Sequence, residues 1–222
     1  MKTSPFKFAV AAILMLVVKP PAYPQGTFMN LDFEHPILPF VVGGDSMVSI
    51  TNAMPGWVGY IGGSPVTSVI YDTVSLGAAA ISIQDTASSF QPIQGSYSAI
   101  LQPSSGGPPT TAALGQTGQI PTTAMSLLFY GSPGMQVTFR GQPLSVVELG
   151  SFPTYSSFGA PISAFAGQTG ELLFLMPNFS FPAMSYLDNV RFSDQQLPEP
   201  GIGSLCFLGA LVLGWRALKQ RR

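Results

Sequence analysis

Glycine and proline punctuate this chain too densely for long helices. Of its 222 residues, 24 are Gly and 21 are Pro. A proline inside a helix costs about 3 kcal/mol, because it lacks the N–H and clashes with the preceding turn. Charged residues make up 9% of the chain, against roughly 25% in an average soluble domain. So little charge excludes a coiled coil, and a hydrophobic content of 46% excludes a disordered chain. Many short strands joined by Gly/Pro turns remain.

The formal net charge of −1 conceals three compartments. Residues 1–26 carry Lys2, Lys7 and Lys19 and no acid. Residues 27–197 carry Arg140 and Arg191 against nine carboxylates, with no lysine at all. Residues 198–222 carry Glu199 against Arg216, Lys219, Arg221 and Arg222. Phosphate backbones are held by clustered Lys and Arg, so the acidic middle excludes nucleic acid as a partner.

The basic ends flank apolar runs. Phe8 to Val18 is an uninterrupted apolar stretch of 11 residues behind Lys2 and Lys7, which is the pattern of a secretory signal. It is shorter than the roughly 20 residues that span a bilayer. Residues 1–26 are therefore expected to be a signal peptide, with the mature chain starting near residues 23–27. At the other end, Pro198-Glu199-Pro200 precedes the apolar stretch Gly201 to Leu218, 18 residues interrupted only by Arg216. As a helix it would be roughly 27 Å long, with Pro200 suited to the first turn. Arg216, Lys219, Arg221 and Arg222 would hold its end on the cytoplasmic side, leaving residues 27–197 outside.

A Pro-Glu-Pro triplet, a short apolar helix and a terminal basic cluster, in that order, resemble the PEP-CTERM sorting signal of Gram-negative bacteria. The resemblance covers residues 198–222. It implies an exosortase-type processing enzyme as partner, transient anchoring in the inner membrane, and release to the cell surface or the extracellular polymeric matrix. An ordinary C-terminal membrane anchor is the alternative and predicts the same topology before processing. Cys206, the one cysteine, lies in this tail, so an intrachain disulfide is excluded and an exported domain must rest on its core.

The middle, 27–197, has the length of one domain. Strand-like runs stand at 27–34, 46–51, 66–71, 78–83, 96–102, 124–130, 134–140, 143–149, 171–176 and 185–192. Met135, Val137 and Phe139 alternate with Gln136, Thr138 and Arg140, as in a half-buried strand, and Arg140-Gly141-Gln142 reads as a tight hairpin turn. Ile162 to Ala166 suits a single helical turn. The fold class expected is all-β, a β-sandwich of two antiparallel sheets, with helices only in the two terminal segments. Asn30 to Glu34 followed by Pro55-Gly56-Trp57, and Ile162 to Phe174 followed by Tyr186-Leu187-Asp188-Asn189-Val190, resemble the first and closing strands of galactose-binding-like jelly rolls. That group includes many carbohydrate-binding modules. The first and last strands are expected to pair, with Asp188 or Asn189 satisfying backbone donors at the adjoining loop.

Little in the middle points to catalysis. His35 is the one histidine, it precedes a proline, and no G-x-S-x-G elbow accompanies it. Catalytic, metal and cofactor residues are accordingly expected to be absent. Asp32 and Glu34, at i and i+2, would share a strand face, and Asp188 would approach them if the end strands pair. Such a cluster suits Ca²⁺, or else simply caps strand ends. Trp57, Tyr60, Tyr71, Tyr97, Tyr130 and Tyr155 are candidates for a sugar-stacking platform, though most aromatics in a sandwich are core. Asn178-Phe179-Ser180 matches a glycosylation acceptor that a bacterial chain would not use. The expectation is an exported, non-enzymatic surface or matrix protein. A carbohydrate-binding module is the alternative, and a secreted polysaccharide hydrolase a more distant one.

Overall fold

The computed structural model describes residues 26–38, 46–75, 77–104, 110–177 and 184–197. The signal-peptide expectation, apart from Gly26, lies outside the described residues. So does the sorting signal with Pro198, Glu199, Pro200, Arg216, Lys219, Arg221 and Arg222, as do Cys206 and Asn178-Phe179-Ser180. Among the described residues no helix is long and apolar enough to cross a membrane.

Those residues form a β-sandwich. In chain order the strands are β1 (Ser46–Ser49), β2 (Val58–Ile61), β3 (Ser64–Val66), β4 (Ser68–Tyr71), β5 (Ala80–Asp85), β6 (Tyr97–Gln102) and β7 (Ala112–Gln119). Then follow β8 (Ser126–Gly131), β9 (Gln136–Phe139), β10 (Gln142–Pro143), β11 (Val147–Ser151), β12 (Ser156–Pro161), β13 (Thr169–Met176) and β14 (Ser185–Ser193). One helical turn, α1 (Ile50–Ala53), follows β1, and a 3-10 turn spans Ser163–Phe165, within the stretch marked for one. One sheet has eight strands in the order β1-β4-β5-β6-β14-β8-β12-β11, and the other has six in the order β10-β9-β13-β7-β2-β3.

The patterning that predicts the strands also sorts their faces. On β13, Leu172, Phe174 and Met176 are buried between the sheets, while Glu171, Leu173 and Leu175 face outward and are half-buried. Met135, Val137 and Phe139 are likewise buried. Arg140 and Gly141 both have positive φ, 53° and 74°, and bring Gln142 opposite Phe139, the two-residue turn that matches strand twist.

Two expectations are corrected. The sheets are not purely antiparallel, because β4 and β5 run parallel, Ile70 opposite Ser82 and Tyr71 opposite Ile83. Asp72, at φ 58°, reverses the chain directly after Tyr71, and its N–H donates to Ile83 O at 3.0 Å. The chain then returns over the outside of the sheet before entering β5. Two buried glutamines tie it down there: Gln84 Nε2 donates to Thr73 O, and the Gln102 amide both donates to and accepts from the Ser75 backbone.

Nor is 27–34 a strand. Asn30 and Phe33 sit at φ 48° and 59°, and the buried side chains Phe28, Leu31 and Phe33 do not keep a spacing of two. The segment is a plug across the sandwich. Side chains, more than a neighbouring strand, satisfy its backbone: the Gln116 amide accepts from Met29 N–H and donates to Met29 O, and Trp57 Nε1 donates to Asn30 O at 2.9 Å. The expected meeting of first and last segments survives as one bond, from Val190 N–H to Leu31 O at 2.9 Å.

Rings join the layers. Phe129 from the eight-stranded sheet meets Phe174 from the six-stranded sheet edge-on, centroids 5.2 Å apart. Trp57 stacks on Phe33 at 5.2 Å and leans on Phe174 at 6.1 Å. Phe28 of the plug packs on Phe192 at 5.4 Å. Each such side chain contributes about 1.5–3 kcal/mol by leaving water.

Candidate functional site

The six candidate aromatics fall in four separate places. Trp57 is 2% exposed and belongs to the core, so no ligand can stack on it. Tyr71 and Tyr97 stand at one end of the eight-stranded sheet beside Asp72 and Asp85. The Tyr71 hydroxyl donates to Asp85 Oδ2 at 2.5 Å. Burial, then this bond, pushes its phenol well above the ordinary range. Tyr97 is raised by burial and then by the charges of Asp85, Asp72 and Glu34. The carboxylates here are used internally, since Asp72 Oδ1 accepts from Asp85 N–H and Asp85 Oδ1 from Ala87 N–H.

Tyr130 and Tyr155 do meet, at 5.1 Å, and Phe152 stacks on Tyr155 at 4.7 Å. The Arg191 guanidinium lies 5.4 Å from the Tyr130 centroid. These rings turn their faces on one another rather than laying them side by side for a sugar chain.

Tyr60 lines a hollow with polar groups converging on it. The hollow lies on the outer face of the six-stranded sheet. Tyr60 comes from β2, Ala113 from β7, and Glu171, Leu173 and Leu175 from β13, with a volume of about 240 Å³. The Tyr60 hydroxyl donates to Glu171 Oε1 at 2.8 Å. This bond, more than burial, raises the phenol's pKa. It passes over β7 at Gly115, where a Cβ would stand 2.7 Å from Glu171 Oε1 and 3.2 Å from Tyr60 Cε2. Glycine there makes the floor on which the pair closes. The hollow is smaller than the ~300–1,000 Å³ usual for ligand pockets. It offers an apolar floor of leucine and alanine, a ring, and one carboxylate with acceptor capacity left over. That chemistry suits a hydroxyl-bearing ligand with an apolar face. Glycoside hydrolysis calls for paired carboxyl groups, and Glu171 is the one carboxylate of this hollow. Sequence reasoning passed over Glu171 because nothing in the run ELLFLM separates an outward Glu that binds from one that solvates.

The Asp32, Glu34 and Asp188 group is placed differently from the strand-face expectation. Asp32 Oδ1 faces Glu34 N–H at 3.4 Å. The Glu34 carboxylate accepts from Ser96 N–H, at 2.9 Å to Oε1, and from Tyr97 N–H at 3.1 Å. Asp188 Oδ2 accepts from Ser98 Oγ at 2.7 Å and Gln94 N–H at 3.0 Å, and Oδ1 from Asn189 N–H at 2.6 Å. Asp188 therefore satisfies backbone donors at the adjoining loop, as its position in the sequence suggested, and fastens residues 93–98 to the last strand. Burial, countered by those three bonds and assisted by the Glu34 charge, pushes its pKa up to about 7. Among the described residues no group of three or more His, Cys, Asp or Glu side chains is arranged to hold a metal ion. His35 is exposed, and its backbone N–H donates to Asn30 Oδ1 at 3.0 Å.

No protein-family model matches the chain, and no curated protein does. Solved structures are distantly similar. An apo-form cyclase from Fischerella sp. is 16% identical, with 75% of this chain and 94% of that one covered and a TM-score of 0.39. A Stig cyclase from Fischerella sp. TAU is 14% identical, covering 77% and 97% at 0.38. A family 11 carbohydrate-binding module from Clostridium thermocellum, in complex with a β-1,3-1,4-mixed-linked tetrasaccharide, is 10% identical, covering 71% and 100% at 0.37. Likenesses this distant carry nothing of what those proteins do over to this chain.

Proposed function

We propose that this chain is an exported, non-enzymatic surface or extracellular-matrix protein. An N-terminal signal directs it outward, its apolar tail pauses in the inner membrane, and an exosortase-type enzyme processes it at Pro198-Glu199-Pro200. The observation that carries this reading is how the chain divides its work. The described core runs from Phe28 to Phe192, and the apolar, cation-flanked ends read in the sequence as addresses. Residues 27–197 carry two arginines against nine carboxylates, a charge that discourages capture by polyanions. Replacing Pro198-Glu199-Pro200 by three alanines is expected to leave the protein in the inner-membrane fraction. Release of that variant at the normal rate would overturn the sorting reading.

A second reading, favoured by the Tyr60–Glu171 hollow, is a galactose-binding-like jelly roll that holds a polysaccharide on its six-stranded sheet. The apolar floor would take a sugar's C–H face and Glu171 would accept its hydroxyls. A glycan array tests it. Binding that weakens about tenfold or more in Glu171→Gln, as loss of a charge-assisted hydrogen bond worth roughly 1.5–3 kcal/mol requires, supports the site. Binding to no polysaccharide leaves the structural role alone.

A further inference from the structure

Glu171 differs from the acids that fasten this fold. Glu34 is turned onto the Ser96 and Tyr97 N–H groups, Asp188 onto those of Gln94 and Asn189, and Asp85 onto that of Ala87. Glu171 takes no backbone donor among the described residues. Its Oε1 accepts from the Tyr60 hydroxyl at 2.8 Å, and its Oε2 accepts no hydrogen bond there. Nor does a cation balance it. In 27–197 the Lys and Arg side chains are Arg140 and Arg191 alone. Arg140 Nη1 donates to Gln168 Oε1 at 2.8 Å, and the Arg191 guanidinium lies by the Tyr130 ring on the other sheet. An anion with no ion pair among the described residues thus lines an apolar hollow that also carries a ring.

We infer that this hollow takes a sugar ring bearing a free amine, one unit of an amino-sugar polymer. The inference rests on the glycan reading and narrows it to a cationic class. Ala113, Leu173 and Leu175 give the C–H face of a pyranose an apolar floor. The Tyr60 ring beside them attracts a cation through its π face. Glu171 Oε2 then accepts from the ammonium, a charge-assisted bond about twice as strong as a neutral one. The same carboxylate turns away a uronic acid, because like charges brought together at an interface cost binding energy. A volume of about 240 Å³ has room for a single ring. The chain of sugars can leave past Gly63 at the rim, where a Cβ would meet nothing within 4 Å. At longer range the surplus of carboxylates over arginines in 27–197 draws a polycation toward the sandwich. A lysine side chain would bring the ammonium but no ring face for the floor.

Titration calorimetry tests it with two probes that differ in the amine alone: a hexamer of β-1,4-linked glucosamine and its fully N-acetylated counterpart. The full chain is used near pH 5.5, where the amines are protonated, in a detergent without a sugar headgroup. The amine hexamer is expected to bind at least about tenfold tighter than the acetylated one. Glu171→Gln keeps an acceptor for the Tyr60 hydroxyl, and with it the tie across β7, but removes the charge. In that variant the two hexamers should bind within about twofold of each other. Equal or tighter binding of the acetylated hexamer by the wild type would overturn the inference and leave the glycan reading standing. A preference that persists in Glu171→Gln would overturn it too, because the amine would then be drawn by overall charge and not by the hollow. So would a lysine hexapeptide that binds as tightly as the amine hexamer and is lost in the same variant. Binding of neither hexamer also sinks the inference, and the glycan array then decides whether the glycan reading goes with it.

Discussion

Asp188 gives the molecule an unusual pH dependence. The side chain is 1% exposed, and burial lifts its pKa to about 7 against the bonds from Ser98, Asn189 and Gln94. In the unfolded chain the same carboxyl titrates at 3.8. Between those values the folded state holds a proton that the unfolded state has released, so stability falls as pH rises. The contribution is complete below 3.8 and gone above about 7. Each tenfold in proton affinity is about 1.4 kcal/mol, so the loss between pH 5 and pH 8 is about 3 kcal/mol. For a domain of this size that is roughly 6–12 °C in melting temperature, at about 2–4 °C per kcal/mol. Asp72, also raised by burial, acts in the same direction. Asp85 acts in the opposite sense: burial works to raise it, but the bonds from Tyr71 and from Ala87 N–H outweigh that and lower its pKa. Its stabilisation is lost only as pH falls below the ordinary carboxylate range, outside this window.

The assay is thermal unfolding at pH 5 and pH 8, followed by the fluorescence of Trp57. The wild type is expected to melt lower at pH 8. Asp188→Asn cannot ionise, so its two melting temperatures should lie much closer together. It should also lose about 1–3 kcal/mol at pH 5, because an amide nitrogen now faces one of the three donors. A wild type that melts as high at pH 8 as at pH 5, or a variant that keeps the full difference, would refute the reasoning.

The core and the turns supply further tests. Trp57→Ala removes a ring held between Phe33 and Phe174, and equilibrium denaturation followed by circular dichroism should show a loss of about 3–5 kcal/mol. Gly118→Ala drives a methyl to 2.7 Å from the Phe28 ring and should cost about 1–3 kcal/mol. Gly141→Ala meets no atom within 4 Å but sits at φ 74°, so backbone strain alone should cost about 1–2 kcal/mol; the same urea titrations order the pair. Gly115→Ala should separate Tyr60 from Glu171 and lower the Tyr60 pKa, read by ultraviolet titration of the phenols.

What the sequence made legible was whatever is written in side-chain alternation. β9, β13 and the Arg140–Gly141 turn follow from the placing of Val137, Phe139, Leu172 and Phe174, because a half-buried strand must repeat every two residues. β7 is illegible on those terms. Its run AALGQTGQ has two glycines and no large apolar residue beyond Leu114, yet it is central in its sheet, bonded to β2 on one side and β13 on the other. It is slim because neighbours lie on it, the Phe28 ring over Gly118 and the Tyr60–Glu171 pair over Gly115. The residues that need the space are 90 and 55 positions away in the chain, and no local window contains them. The plug fails as a predicted strand for the complementary reason. Phe28 and Phe33 looked like strand residues, but the groups that satisfy the backbone of Met29 and Asn30 between them, Gln116 and Trp57, are side chains supplied from elsewhere. The hollow inherits both failures. Tyr60 was visible as an aromatic, but its meaning depends on a glycine that reads as a turn and on a glutamate that reads as surface. A glycine inside a strand is therefore a question about which distant side chain crosses there, and at Gly115 the answer is the hydrogen-bonded pair of Tyr60 and Glu171.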